Sequence, residues 1–334
     1  METRFLGRSG LRVTPFAFGS WLTFSHGGPA NAKSMIDCAI DHGINFLDTA
    51  DVYDNGAAES MMGQILTTRR RQHLVVATKV YWNMSDNPND WGLSRKHIFE
   101  SIDDSLHRLQ TDYVDLYQCH RFDSTIPLDE TVRAMGDLIR MGKVLYWGTS
   151  CWSGEQLHAA CAIADELGVP RPISEQPPYN MLSRQIEDEV LPTCAELGIG
   201  VIIWSPLAQG FLSGKYQPGV IPDDSRKATV SGIDGMFLDQ MLASEDAFTR
   251  LGRIEQVARD FSIPLPVLAV AWCLRRPELT SVILGASKVS QIEQNMLALE
   301  VEWTAELDAA CEAACQGVAL QTPRGFITAD EESS

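Results

Sequence analysis

Eight times along the chain a short apolar run ends on a polar residue or a glycine and passes into an amphipathic stretch. The runs are Phe16–Phe18, Ile44–Leu47, Leu74–Ala77, Val114–Gln118, Val144–Trp147, Ile173–Glu175, Gly200–Trp204 and Ser281–Leu284. Their shortness and β-branched content predict buried strands. The stretches near 31–42, 58–66, 94–108, 129–141, 153–167, 184–196, 265–275 and 288–298 predict helices. Strict alternation of the two implies parallel βαβ units. Eight such units predict an α/β fold closed into a (β/α)8 TIM barrel. A length of 334 residues suggests two domains on average, yet one such barrel takes up a chain of this size. No linker or low-complexity tract interrupts it, so a single domain over 1–334 is expected.

Most units repeat at roughly 28–30 residues, the size of one βαβ step. Two intervals are longer: about 40 residues between the third and fourth runs and about 80 between the seventh and eighth, with a Gly/Pro/Ser stretch at 213–235. Long loops in a compact domain usually serve binding. Residues 3–15 predict a hairpin plugging the barrel bottom. Residues 304–334 predict a helix and an acidic tail, frayed over 318–334.

Charge narrows the function. Lys+Arg is 27 against Asp+Glu 44, a net −17, and the longest basic run is Arg69–Arg71. Nucleic-acid binders carry a basic stripe, so this chain is expected to repel polyanions and anionic membranes. No apolar run approaches the roughly 18 residues of a membrane span. Met1–Arg4 leads into no apolar signal segment. The eight cysteines, at 38, 119, 151, 161, 194, 273, 311 and 315, form no Cys-x-x-Cys pair. Reduced thiols, no metal site and a cytoplasmic location are expected.

Catalytic residues of such barrels cluster where strands end. Here those ends carry Asp48, with Tyr53 five residues on, then Thr78–Lys79, Gln118–His120, Thr149–Ser150, Glu175–Gln176, Trp204–Pro206 and Gly285–Ser287. A lone Lys after a strand is ordinarily a solvated loop residue, and a lone His or Tyr is ordinarily structural. Asp48, Tyr53, Lys79 and His120 differ because they sit on three successive strand ends and converge on one pocket. A tyrosine's pKa of about 10 suits proton donation near neutrality poorly. A neighbouring ammonium is expected to lower it, and Asp48 to keep Lys79 charged. His120 can hydrogen-bond a carbonyl oxygen. The set suits reduction of a carbonyl, with hydride from a nicotinamide cofactor.

The phosphate grip is not of the Rossmann or Walker kind, since neither glycine pattern follows a strand. Gly198 and Gly200 precede a strand and carry no such signal. Gly285–Lys288 instead runs from the last strand into a helix N-terminus, whose free N–H groups suit an anion.

These residues resemble the aldo-keto reductase superfamily. The marks are Asn45–Tyr53, Thr78–Lys79, Tyr113–His120, Gly148–Ser150, Trp204–Ala208, Ser213–Tyr216 and Leu284–Ser287, spread from Phe5 to about Leu299. Trp204–Gly210 and Leu284–Gln291 look most like the branch of potassium-channel beta subunits and their bacterial relatives. The resemblance implies NADPH lying across the barrel mouth, with NADH less favoured. It makes Tyr53 the proton donor, Lys79 and Asp48 its tuning pair and His120 the carbonyl-orienting residue. Ser150 and Gln176 would hold the carboxamide, and Trp204 would stack on the nicotinamide. Gly19, Ser20, Trp21 and Asp48 would complete that end of the site. Ser205, Pro206, Leu207, Ala208, Lys215 and Arg226 would line the pyrophosphate groove, and Gly285, Ser287, Gln291, Gln294 and Asn295 the adenosine phosphate end. Trp21, Trp82, His120 and Trp152 are expected around the substrate, with Arg121 or His26 as further candidates; several Trp at one mouth suit a flat or apolar aldehyde or ketone.

Three positions depart from the resemblance. Cys151 stands where relatives often have Asn or Arg. Gln294 stands where the channel branch has Glu, which suits a 2′-phosphate. His120 stands where channel subunits have Asn, which favours turnover. The competing readings are a nucleotide-sensing subunit with little turnover and a Schiff-base aldolase using Lys79. The branch includes monomers, tetramers and larger rings, so a homo-oligomer is among the assemblies implied.

Overall fold

Each apolar run becomes a strand. The computed structural model describes residues 1–21, 28–223, 225–229 and 235–317. After a hairpin of β1 (Arg4–Phe5) and β2 (Arg12–Val13), the barrel strands are β3 (Phe16–Gly19), β4 (Phe46–Asp48), β5 (Val75–Val80), β6 (Val114–Cys119), β7 (Val144–Thr149), β8 (Ser174–Glu175), β9 (Gly200–Ile203) and β10 (Leu279–Leu284). They pair in parallel, in chain order, and β10 closes on β3. The expected TIM barrel is the observed fold. β5, β6 and β7 run past the apolar runs to Val80, Cys119 and Thr149, which draws Lys79, Cys119 and Thr149 into the ladder.

Helices α1 (Gly28–Asp41), α2 (Ala57–Leu66), α3 (Arg95–Leu109), α4 (Leu128–Arg140), α5 (Gly154–Leu167) and α6 (Val190–Leu197) follow the strands in turn. Side-chain caps fix two of the starts: Ser94 Oγ accepts from His97 N, and Ser153 with Gln156 forms a capping box. α6 is shorter than the sequence suggests. The chain before it makes a 3-10 turn at Gln185–Glu187, where Glu187 is spent on Arg184, Arg276 and Tyr179.

The long seventh interval is largely helical rather than loop. It holds α7 (Arg226–Thr229), α8 (Met236–Leu242), α9 (Glu245–Asp260) and the expected α10 (Leu265–Leu274). α9 has a Ser244 cap, Glu245 and Asp246 in its first turn and Arg259 in its last, each matching the helix dipole. α11 (Val289–Met296) and α12 (Ala305–Cys315) complete the shell. Arg275 and Arg184 tie α12 down through Asp308 and Glu312. The proposed tail over 318–334, and His26, lie outside the described residues. All eight cysteines are free thiols. Among the described residues no single helix is long and apolar enough to cross a membrane.

Strand periodicity divides the barrel. Ala17, Phe46, Val75, Ala77, Leu116, Ile202 and Ile283 form one buried cluster with Leu6 and Val13 of the hairpin. The alternate residues, such as Leu47, Val76 and Tyr117, pack outward against the helices. The hairpin therefore does plug the bottom. Gly198 and Gly200, silent as a phosphate signal, make room for it: a Cβ on Gly200 would meet Gly7 N at 2.5 Å, and Arg8 N donates to Gly198 O at 2.8 Å.

Candidate active site

Two residues above the apolar layer the inward face turns polar. Asp48 follows Phe46, Lys79 follows Ala77 and Gln118 follows Leu116 on the same face. Lys79 is wholly buried, and its Nζ donates to Asp48 Oδ2 at 2.6 Å, Thr49 O at 2.7 Å and Tyr53 Oη at 3.3 Å. An ammonium has three donors, and all three are used. Because Tyr53 Oη accepts from Lys79, its own proton must point elsewhere. Asp48 Oδ1 accepts from Gln176 Nε2 at 2.8 Å and from Gln118 Nε2 at 3.5 Å. The pair is thus buried with its remaining valences met, the condition under which burial is tolerable.

Tyr53 is set by the loop after β4. Asp51 Oδ1 accepts from Val52 N at 2.7 Å, and Oδ2 accepts from Ser101 Oγ at 2.9 Å, which pins this loop to α3. Asp54, Asn55 and Gly56 are all left-handed, with φ of 50, 48 and 84°, and turn the chain into α2. The Tyr53 ring meets His120 edge-on at 5.8 Å and stacks with Trp21 at 6.4 Å. Trp82 packs edge-on against His120 at 6.2 Å.

The titration pattern is partly as expected. Burial lowers Lys79, but Asp48 and Tyr53 more than restore it, so the amine stays charged. Burial, with the charges of Arg121 and Lys79, pushes His120 well below its ordinary value, so the imidazole is neutral. Tyr53 runs against expectation: burial raises its phenol, and although Lys79 pulls it down, Asp48 adds to the rise. The ammonium limits the rise rather than reversing it. Burial also lifts two nearby carboxyls to about 7: Asp51, with help from the Glu59 charge, and Glu175.

A cavity of about 900 Å³ opens above these groups. It is lined by Gly19, Ser20, Trp21, Asp48, Tyr53, Trp82, His120, Ser150, Gln176, Trp204, Ser205, Pro206, Leu207, Lys215, Arg226, Gly285, Ser287, Gln291, Gln294 and Asn295, all singled out by sequence. Lys79 lies beneath it. Ala208 is buried and does not line it. Trp152 also falls outside: it is 1% exposed, and its ring meets Phe122 at 4.9 Å, so it serves the core under the fifth strand end. Ser150 Oγ donates to Gln176 O at 2.8 Å, and Gln176 Nε2 is spent on Asp48. Cys151 occupies a left-handed turn, φ 58°.

Sequence reading passed over Asn83, Gln209, Gly210 and Pro266, which line the same cavity. Gln209 is the notable one. It is 4% exposed, and neither Nε2 nor Oε1 has a hydrogen-bond partner. Its signal was its place in the Trp204–Gly210 segment, where Ser205, Ala208, Gln209 and Gly210 all take positive φ.

The aldo/keto reductase family model matches residues 15–315. An Arabidopsis thaliana protein described as "probable voltage-gated potassium channel subunit beta" is 45% identical over 305 residues, covering 90% of this chain and 92% of its own. A relative from Oryza sativa subsp. japonica with the same description matches to the same extent, 45% over 305 residues, 90% and 92%. Barrel, cavity, sequence match and coverage agree: the chain belongs to the aldo/keto reductase family.

Proposed function

We propose that the protein reduces aldehydes or ketones to alcohols with NADPH, using Tyr53 as proton donor. The observation that carries this is the hydrogen bond from a fully buried, Asp48-paired ammonium to a phenol at the floor of a large cavity. The phenol keeps its proton at neutral pH. Its hydroxyl can donate to a carbonyl oxygen while Lys79 compensates the charge left on it. Neutral His120, beside the ring, can give that oxygen a second hydrogen bond. Asp48 holds Lys79 in place, and Gln176 and Gln118 hold Asp48.

When bound, a nicotinamide dinucleotide supplies the hydride. The chain's groove fits such a group. Gln209 presents an unsatisfied buried amide. The backbone steps from right-handed at Leu207 to left-handed at Ala208, Gln209 and Gly210, and such a step turns successive N–H groups toward an anion. No side chain caps the start of α11, so its first amides are available. Lys215, Arg226 and Lys288 bring positive charge to the same walls. Ser287, Lys288 and Gln291, with Gln294 in place of an acid, favour a 2′-phosphate and hence NADPH. A small-molecule carbonyl is the partner proposed, in a cytoplasmic setting.

The test is NADPH oxidation with 4-nitrobenzaldehyde. Tyr53→Phe should lose at least about 10³-fold in kcat while NADPH binds as before. A variant as fast as wild type sinks the assignment. The names of the relatives favour a second reading, a nucleotide-responsive subunit; tight NADPH binding with no aldehyde oxidising it would select that one. The aldolase reading loses support, because Lys79 Nζ is buried with its three donors spent and is absent from the cavity wall.

A further inference from the structure

Asp48 and Lys79 lie within strands, and His120 follows β6 directly, its N bonded to Val80 O at 2.9 Å. The barrel ladder sets all three. Tyr53 stands five residues past the end of β4, beyond the ladder, yet its hydroxyl has to reach a carbonyl oxygen within hydrogen-bond distance. The residues after it work against order. Asp54 and Asn55 both hold positive φ, 50 and 48°, a conformation that side chains disfavour and that persists only where the surroundings impose it.

Those surroundings are polar and buried. α3 brings Ser101, Ser105 and Arg108 to this loop, and their spacing of four and three puts them on one helix face. Ser101 and Ser105 are buried there, where a helix ordinarily packs apolar side chains. Two wholly buried carboxyls meet that face, Asp51 just before the Tyr53 turn and Glu59 just after it. Asp51 accepts from Ser101 Oγ at 2.9 Å and from Val52 N at 2.7 Å. Tyr53 N donates to Ala50 O at 3.2 Å, so the turn that carries the phenol runs through Asp51. Glu59 accepts from Arg108 Nε at 2.7 Å and from Thr78 Oγ1. Arg108 also donates to Ser105 Oγ at 3.3 Å and packs on Gly56, where a Cβ would come within 2.7 Å of its Cδ. Burying two carboxyls beside one guanidinium is costly. A shell that only had to pack would be better served by apolar residues.

We propose that Asp51 is a positioning residue for Tyr53: together with the buried polar face of α3 it holds the phenol over Lys79, and turnover depends on its two hydrogen bonds rather than on its charge. The inference rests on the reductase reading and names what places its proton donor. Asp51 touches neither substrate nor cofactor; it acts through Tyr53.

The experiment measures kcat with 4-nitrobenzaldehyde and, separately, NADPH affinity by quenching of protein fluorescence, both at pH 6 on the full chain. Burial and the Glu59 charge raise the Asp51 carboxyl to about 7, so at pH 6 it is largely protonated and an amide matches it in charge. Asp51→Asn keeps both contacts, its oxygen accepting from Val52 N and its amide donating to Ser101 Oγ, and should stay within about threefold of wild type in kcat. Asp51→Val fills the space without them and should lose on the order of 100-fold, the cost of displacing a reacting group by about 1 Å. Ser101→Ala removes one of the two contacts and should lose on the order of 10-fold. Combined with Asp51→Val it should slow the reaction no further, because the two residues share one contact. NADPH affinity should stay within about twofold throughout, since the groove proposed for its phosphates follows β9 and β10. If Asp51→Val keeps wild-type kcat, if the amide is as slow as the valine, or if NADPH affinity falls in step with kcat, the inference falls and the reductase reading stands. If wild type reduces no aldehyde, both fall. Should Asp51→Val fail to fold, Ser101→Ala decides, and a wild-type kcat in that variant overturns the inference.

Discussion

On β4 the inward face passes from Phe46 to Asp48, on β5 from Val75 and Ala77 to Lys79, and on β6 from Leu116 to Gln118. Within one strand step the barrel changes from a dry plug to a polar layer. The bottom is held by contact: Leu6 and Val13 enter among inward-facing Ala, Val, Ile and Phe, and glycines at 198 and 200 admit the hairpin backbone. The top is held by hydrogen bonds, Gln176 to Asp48 across the barrel and Lys79 to Tyr53 between neighbouring strand ends. Apolar burial yields stability roughly in proportion to area. A buried ion pair yields little net stability and is intolerant of losing one partner. One set of strands thus separates the layer that keeps the fold from the layer that does the chemistry, and the polar layer gains strength from the dry one beneath it.

The largest effect should come from breaking the polar layer on one side only. Lys79→Met leaves Asp48 buried without its cation. It should cost about 3–5 kcal/mol of stability and at least about 10³-fold in kcat. Adding Asp48→Asn should restore much of the stability and none of the turnover, read by denaturant unfolding and NADPH oxidation side by side. If the double variant regains activity, the ammonium is dispensable and the proposed chemistry is wrong. At the other end, Leu6→Ala should cost about 3 kcal/mol, the usual range for a fully buried leucine. It should leave kcat within about twofold. A matching loss of kcat would show that the two layers are not separable.

How much of this division could be read from the chain depends on whether the signal is local. Strand positions were legible because β-branched runs alternate with amphipathic stretches, and Asp48, Lys79 and His120 were legible because they follow such runs. The crossing of Gln176 to Asp48 spans 128 residues and has no local mark. The direction of the Tyr53 shift depends on burial, which the sequence does not display. Trp152 follows a strand end as a substrate residue would, yet its neighbour Phe122 draws it inward. α9 is the opposite case: Ser244, Glu245 and Asp246 announce it, but the Gly/Pro/Ser stretch ahead of it suggested loop.

Proton linkage offers the gentlest way to probe the border between the layers. Glu175 is fully buried under the mouth, where Oε2 accepts from Thr149 Oγ1 and Oε1 accepts from Trp152 N at 3.1 Å. It thereby fixes the turn after β7 that carries Ser150. Burial raises its pKa from 4.5 to about 7 despite those bonds. A carboxyl raised on folding binds more protons in the folded state, so its contribution is complete below about 4.5 and is lost as pH climbs to about 7. The loss should amount to about 1–3 kcal/mol. Glu175→Gln removes the ionisation and keeps the contacts, since the new amide can donate to Thr149 Oγ1 while that hydroxyl turns to Ser174 O at 3.2 Å. Asp51 titrates in the same window, so the informative quantity is the difference between the two stability curves. That difference should grow in favour of the variant from pH 4.5 to 7 and stay level above. A flat difference would mean that Glu175 ionises freely in the folded protein and that the layer beneath the mouth is wetter than its burial implies.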